Sequence, residues 1–407
     1  MDGLGLAVLA WLWGVLLVLF TVPAGVFVVQ VLLASGGARG RRPAPAGERR
    51  IDAAVSTPPR VAVLIPAHNE AQGIVGTLAG LASAHGEAFR VVVVADNCSD
   101  DTAALARQSG VEVLERTHDT LRGKGHALQF GLDHIRRSPP SVLVVVDADC
   151  QVSATDLTQL ALETTLRQTP VQCKNLMVAP PGAPVSVKVA AFAWLVKTWV
   201  RPTGWGRLGA PCQLMGTGMA FPWSIIGQQN LASGHIVEDL QLTMALAAQG
   251  TMASFYPDVG VISLFPVNAH AVQVQRSRWE HGHLGMLKDE LPGLLALAWR
   301  RRDARVLALA LDIAVPPLSL LVLALLMLAA LALLFSAWTG WWWMAGWAMG
   351  LLGLSAGAVM LAWWQWGRGV ISGAELLGVP RYVWSKLGIY KRFVQQRERV
   401  WKRTDRD

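Results

Sequence analysis

Residues 4–36, "LGLAVLAWLWGVLLVLFTVPAGVFVVQVLLASG", contain no charged side chain. A helix of about 20 apolar residues already crosses a bilayer, so a run of this length predicts a membrane span. The head "MDGLG" is acidic rather than basic, and the run is too long for the apolar region of a signal peptide. A retained helix is therefore expected in place of a cleaved leader. Two further apolar runs lie near the C-terminus, 306–335 and 341–366, the second with tryptophans gathered at its ends, as at membrane interfaces. Pro316 and Pro317 predict a break within the first of these, separating an interfacial segment from a shorter span.

Composition agrees with three spans: 53% hydrophobic residues, 16% charged residues and a mean hydropathy of +0.37 are too apolar for an ordinary soluble protein. The net charge of +8 could suggest a nucleic-acid partner, but the basic residues cluster beside the apolar runs. Anionic membrane lipids explain them better, and no nucleic acid is expected. "RGRRPAPAGERR" after the first run, "WRRRDAR" before the second and the basic stretch 381–406 put the middle of the chain and its C-terminus in the cytoplasm, with the N-terminus outside. The four cysteines show no metal or disulfide spacing and read as buried thiols.

Between the runs the pattern changes. Residues 37–59, rich in Gly, Arg, Pro and Ala, read as a linker. "VAVLIPA", "RVVVVADN" and "SVLVVVDAD" are short β-branched runs separated by helical stretches, which predicts an α/β domain with a parallel sheet covered on both faces. In such sheets ligands bind beyond the C-terminal ends of the strands. "PAHNE", "DNCSDD" and "DAD" all fall there. Asp100 and Asp101 read as turn or helix caps. Asp147 and Asp149, one residue apart, can turn toward one divalent ion, and hard oxygen ligands suit Mg2+ or Mn2+ bridging phosphates. D-x-D alone is a weak signal, but it points to a nucleotide diphosphate.

The ordered set "PAHNE", "ADNCSDDT", "GKGHAL", "DAD", "GTG", "VED" and "QRSRW" resembles the membrane-integrated family 2 glycosyltransferases, the group of cellulose, chitin and hyaluronan synthases, and within it the bacterial exopolysaccharide enzymes. The resemblance covers roughly residues 60–290 and implies a Rossmann-like GT-A fold. It divides the chain into a first span (1–36), the linker (37–59), the catalytic domain (60–270), interfacial helices (271–304), two spans (305–367) and a basic C-terminal segment (368–407). It implies that Ala67, Glu70, Asp96 and Lys124 hold the nucleotide part of a nucleotide-sugar donor, that Asp147 touches the nucleotide, and that Asp149 binds the metal. Glu238 and Asp239 match the family's T-E-D element, with Asp239 the general base; here Val237 replaces the first residue. Gly216, Thr217 and Gly218 match an element of the acceptor site, and Trp223 is either an aromatic that stacks on sugar or a packing residue.

In "VQRSRWEHGHL", Gln275, Arg278 and Trp279 are spaced i, i+3, i+4 and share one face of a helix. They match the family's Q-x-x-R-W, which implies that Gln275 and Arg278 bind the donor, Arg278 at the pyrophosphate, and that Trp279 lines the acceptor site. His281 and His283 read as packing residues. The resemblance thus implies an inverting hexosyltransferase of the bacterial inner membrane that uses a UDP-sugar. Q-x-x-R-W favours a growing polysaccharide as acceptor; addition of one sugar to a lipid or lipid-linked acceptor is the alternative. Three spans are few for an export channel, so a secreted polymer implies an export partner or a homo-oligomer. An inactive nucleotide-sugar-binding scaffold is the rival of another class, and the intact acids at 147, 149, 238 and 239 argue against it.

Overall fold

The computed structural model describes residues 3–36, 58–82, 89–235, 237–266, 269–385 and 388, with side chains described from residue 8 onward except those of 269–276. In chain order the elements begin α1 (Gly3–Gly36), β1 (Val61–Ala67), α2 (Ile74–Leu81), β2 (Phe89–Asp96), α3 (Thr102–Gln108), β3 (Glu112–Arg116), α4 (Lys124–Ile135), β4 (Val142–Val145), α5 (Ala154–Arg167) and β5 (Val171–Val178). They continue α6 (Val185–Leu195), α7 (Arg201–Gly206), β6 (Met219–Pro222), α8 (Glu238–Ala248), β7 (Ser254–Leu264), α9 (Ala269–Asp289), α10 (Leu291–Arg301), α11 (Ala304–Ala314), α12 (Leu318–Thr339) and α13 (Trp342–Ala362). Most of the expected linker, 37–57, and most of the basic C-terminal stretch, 386–387 and 389–407, lie outside the described residues.

The described residues form two compact units, one within 58–183 and 209–282, the other within 3–36, 184–208 and 283–388. The first holds a seven-stranded sheet in the order β3-β2-β1-β4-β6-β5-β7. Strand β1 pairs parallel with β2 and β4, and β2 parallel with β3. Both faces are buried because alternate residues meet different helices. Val61, Val63 and Ile65 pack with Ile74 and Leu78 of α2 and Leu157 and Leu160 of α5, while Gly131 of α4 sits so close to Leu64 and Val94 that a Cβ there would lie 2.3 Å from a Leu64 methyl.

The expectation of an all-parallel sheet is corrected at β6, which runs antiparallel to both β4 and β5. "MAFP" is four residues long and follows a buried turn instead of a crossover helix, so no strand signal of useful length marks it. Its direction matters: Met219 pairs with Val145, which brings the preceding Gly216–Gly218 turn to the same sheet edge as the C-terminal ends of β1, β2 and β4.

Among the described residues, the second unit carries three helices long and apolar enough to cross a membrane, Val8–Gly36, Leu318–Thr339 and Trp342–Gly367. Their outward faces expose large apolar side chains, among them Trp11, Leu19, Leu334 and Trp342. The run 306–335 is interrupted where the prolines predict: α11 ends at Ala314 and α12 begins at Leu318. Within this unit Arg201, Asp312 and Gln30 form a buried cluster. Arg201 donates to Gln30 Oε1 at 2.7 Å and to Asp312 Oδ1 at 2.9 Å, and Gln30 Nε2 donates to Asp312 Oδ1 at 2.7 Å. Arg201 also donates to the Asp312 carbonyl at 2.7 Å, an oxygen whose helical partner four residues on would be Pro316, which has no N–H.

Candidate active site

At the C-terminal edge of β1, β2 and β4 lies a cavity of about 500 Å³. Local backbone chemistry builds its rim. Asn69 and Asn97, just past β1 and β2, both take left-handed conformations (φ 54° and 52°), which asparagine tolerates better than most residues. Asn69 then exchanges two hydrogen bonds with Ser99, and Asp100 accepts from the backbone N–H groups of Ala71 and Thr102 at 3.1 Å each. Burial works against the Asp100 charge, but these bonds and one from the Thr102 hydroxyl hold its pKa below the ordinary value. Asp100 is thus a loop organiser.

The D-A-D turn after β4 is fixed from three sides. Thr217 Oγ1 accepts from the Asp147 N–H at 3.0 Å, Thr77 donates to the Ala148 carbonyl at 2.8 Å, and Gly73 sits where a Cβ would lie 3.3 Å from the Asp149 Cα. Asp147, Asp149, Ala67, Glu70, Asp96, Lys124 and Arg278 all line the cavity. Among the donor residues expected from the sequence, Gln275 alone cannot be placed, since its side chain lies outside the described ones although its backbone is in α9.

Lys124 opens α4 directly after Gly123, whose φ of 117° is glycine territory. Its ammonium donates to the Gly216 carbonyl at 2.8 Å, pairs with Asp147 Oδ1 at 2.5 Å and lies 3.6 Å from Glu238 Oε1. Desolvation opposes its charge, yet Asp147, Glu238 and Asp239 outweigh that and hold its pKa above the usual lysine range. Glu238 is pushed up to about 7, chiefly by burial, with Lys124 opposing and Asp239 and Asp147 adding to the rise. Glu238 and Asp239 begin α8 and do not line the cavity; Glu238 joins it through Lys124, and the charge of Asp239 acts on the same ammonium. Asp239 Oδ1 accepts the Leu240 N–H at 2.8 Å.

Gly216, Thr217 and Gly218 occupy a buried turn rather than an open acceptor surface. Thr217 is 3% exposed, its hydroxyl is engaged with Asp147, and the Thr217 and Gly218 carbonyls accept from Gln172 at 2.9 and 3.2 Å. Both glycines have positive φ, 82° and 64°, and a Cβ on Gly218 would lie 2.3 Å from Cys173 Sγ. The three residues therefore position Asp147 and Lys124. Trp223 is removed from the site altogether: its N–H bonds the Ser141 carbonyl, at the opposite end of β4 from Asp147. Trp279 is half-buried on α9 and His281 is buried; neither lines the cavity.

Two features were not legible in the sequence. Arg116, ending β3, pairs with Asp96; a lone arginine at a strand end carries no motif. Gly282 of α9 lies against Val237, with a Cβ there 2.5 Å from a valine methyl, so the residue that departs from T-E-D is a packing contact for the helix that carries Arg278.

The family model Glycosyltransferase like family 2 matches residues 58–282, more than half of the chain, and the chain belongs to that family. Its mixed α/β sheet is of the GT-A kind. Uncharacterized glycosyltransferases of Mycobacterium bovis and Mycobacterium tuberculosis are each 30% identical over 103 residues, 25% of this chain and 43% of theirs. The chain thus matches less than half the length of these curated relatives. Among solved structures, a mannosyltransferase from Pyrobaculum calidifontis in complex with GDP-Man and Mn2+ superposes with a TM-score of 0.49 at 18% identity, covering 86% of this chain and 97% of that one. Glucosyl-3-phosphoglycerate synthase from Mycobacterium tuberculosis, with Mn2+, UDP and glucosyl-3-phosphoglycerate, gives 0.34 at 16% identity over 50% of this chain and 70% of its own.

Proposed function

We propose that the chain is an inverting glycosyltransferase of the bacterial inner membrane, its sheet unit in the cytoplasm, that moves a sugar from a UDP-sugar to a hydroxyl of a growing exopolysaccharide. The observation that carries this reading is the convergence of Asp147, Asp149, Lys124 and Arg278 on one cavity, with Glu238 reaching it through Lys124 and Asp239 next to it at the start of α8. A volume of about 500 Å³ suits a nucleotide sugar. The basic stretches beside the three apolar helices support the orientation.

In the proposed reaction the acceptor oxygen attacks the anomeric carbon from the face opposite the diphosphate. The new C–O bond forms as the bond to the diphosphate breaks, which inverts the centre. Asp239 accepts the acceptor proton. Lys124 and Arg278 offset the charge that builds on the leaving diphosphate. Lys124 already engages one oxygen of Asp147, and among the described residues no three His, Cys, Asp or Glu side chains converge on one point. One or two carboxylates suit a hard cation that completes its shell with phosphate oxygens and water, so Asp149, with Asp147, fits Mg2+ or Mn2+. When bound, such an ion neutralises the same developing charge.

Release of UDP from the purified chain in detergent, across a panel of UDP-sugars with Mg2+ or Mn2+, tests the reading. Metal-dependent release from one sugar, lost in Asp149→Ala, is expected; release that survives this substitution removes Asp149 from the site. Electrophoretic product length then separates polymerisation from single transfer to a lipid.

A further inference from the structure

We propose that the turn between α10 and α11 is a docking surface selective for anionic phospholipid, with its arginines on the headgroup phosphates and Leu295 and Trp299 in the apolar layer beneath. The inference rests on the membrane reading above. Helix α10 buries Leu294 and Ala298 and exposes Leu295 and Trp299, each pair four residues apart. The inner pair packs within the fold, whereas Trp299 is 86% exposed. An indole left uncovered in this way suits the boundary between hydrocarbon and water.

Charge says which lipid. Arg300, Arg301, Arg302 and Arg305 are all exposed around this turn. The one carboxylate among them, Asp303, uses Oδ1 to cap α11, accepting the backbone N–H groups of Arg305 and Val306 at 2.8 and 3.4 Å. Four arginines and one aspartate give the turn a charge of +3. Among the described residues, Arg300, Arg302 and Arg305 make no ion pair. Arg305 even stands in the first turn of α11, where the helix dipole disfavours a cation. Anionic headgroups would offset this repulsion, each basic residue near such a surface adding about fivefold to binding.

The depth agrees. Helix α11 packs beside the last turns of α1, where Gln30 donates to Asp312 at 2.7 Å. Trp205 of α7 donates to the Ala308 carbonyl at 3.0 Å, and Arg207 just after it donates to the Leu33 carbonyl. The span Val8–Gly36 has 29 residues, which make about 43 Å of helix against about 30 Å of hydrocarbon. Its last turns, which lead into "RGRRPAPAGERR", therefore reach headgroup level, and the turn with the arginines lies beside them.

A fluorophore on Ala296→Cys, an exposed position next to Leu295, tests this in the full chain reconstituted into phosphatidylcholine vesicles. Nitroxide-labelled phosphatidylglycerol or phosphatidylcholine quenches the label, and the unsubstituted chain treated in parallel gives the background. Phosphatidylglycerol should be enriched at the label about fivefold or more, and added salt should lower the enrichment. Replacing Arg300, Arg302 and Arg305 together by Gln should bring the two lipids level while quenching persists. Arg305→Gln alone keeps the Asp303 cap, which goes to the backbone, and should reduce the enrichment about twofold; it decides the matter if the triple variant does not fold. Equal quenching by both lipids, an enrichment that the arginine variants leave unchanged, or no quenching by either overturns the inference and leaves the spans standing. A chain that alkaline extraction strips from the vesicles overturns the membrane reading as well.

Discussion

At the scale of single residues, the chemistry concentrates on Lys124 and the carboxylates around it. Because burial raises the Glu238 pKa from an ordinary 4.5 to about 7, the folded protein holds that proton more tightly than the unfolded chain does. The stability linked to this group is therefore fully present below about pH 4.5 and is lost as pH rises through about 7. Thermal unfolding in detergent should show the wild type falling relative to Glu238→Gln across that window; parallel curves would remove the assignment. Asp239 makes a sharper prediction. Asp239→Asn should lower transfer at least about 100-fold, the contribution of a general base, while UDP binding by calorimetry stays as in the wild type. An active variant would sink Asp239 as the base.

At the scale of elements, the contact between Val237 at the start of α8 and Gly282 on α9 sets how closely the helix with Arg278 approaches the acidic pair. Gly282→Ala should destabilise by about 1–3 kcal/mol through overpacking and lower transfer with it. Val237→Ala in the same chain should recover most of both, and failure to recover would mean that the glycine matters for another reason. The same pair shows why motif reading stops short. "VED" and "QRSRW" could be picked out and placed on helices by spacing, since side-chain periodicity is local. That Val237 fills the notch left by Gly282 depends on two segments more than 40 residues apart in sequence, and nothing local encodes the distance. For the same reason β1, β2 and β4 were readable as β-branched runs, whereas β6, with four residues, acquires its direction only from the strands it joins.

At the scale of the whole molecule, the unit with the apolar helices is tied internally by a polar cluster, an arrangement that tolerates the loss of all its charges better than the loss of one. Arg201→Met should cost about 3–5 kcal/mol by leaving the Asp312 carboxylate buried without its cation, and adding Asp312→Leu should return much of that. Unfolding of the two variants in one detergent distinguishes this from a cluster that contributes nothing. By itself the sequence determined the three apolar helices, the break at Pro316 and Pro317, an α/β domain between them and the candidate acids. Those features follow from hydropathy, backbone restriction and short-range spacing, which act within a few residues. Only the tertiary structure decided that Lys124 binds Asp147 beside Glu238, that Thr217 supports the D-A-D turn from beneath, that Arg116 grips Asp96, and that Arg201 pairs with Asp312. Each joins residues far apart in the chain, and such pairings become defined only when the packed sheet and helices fix the distances over which hydrogen bonds and charges act.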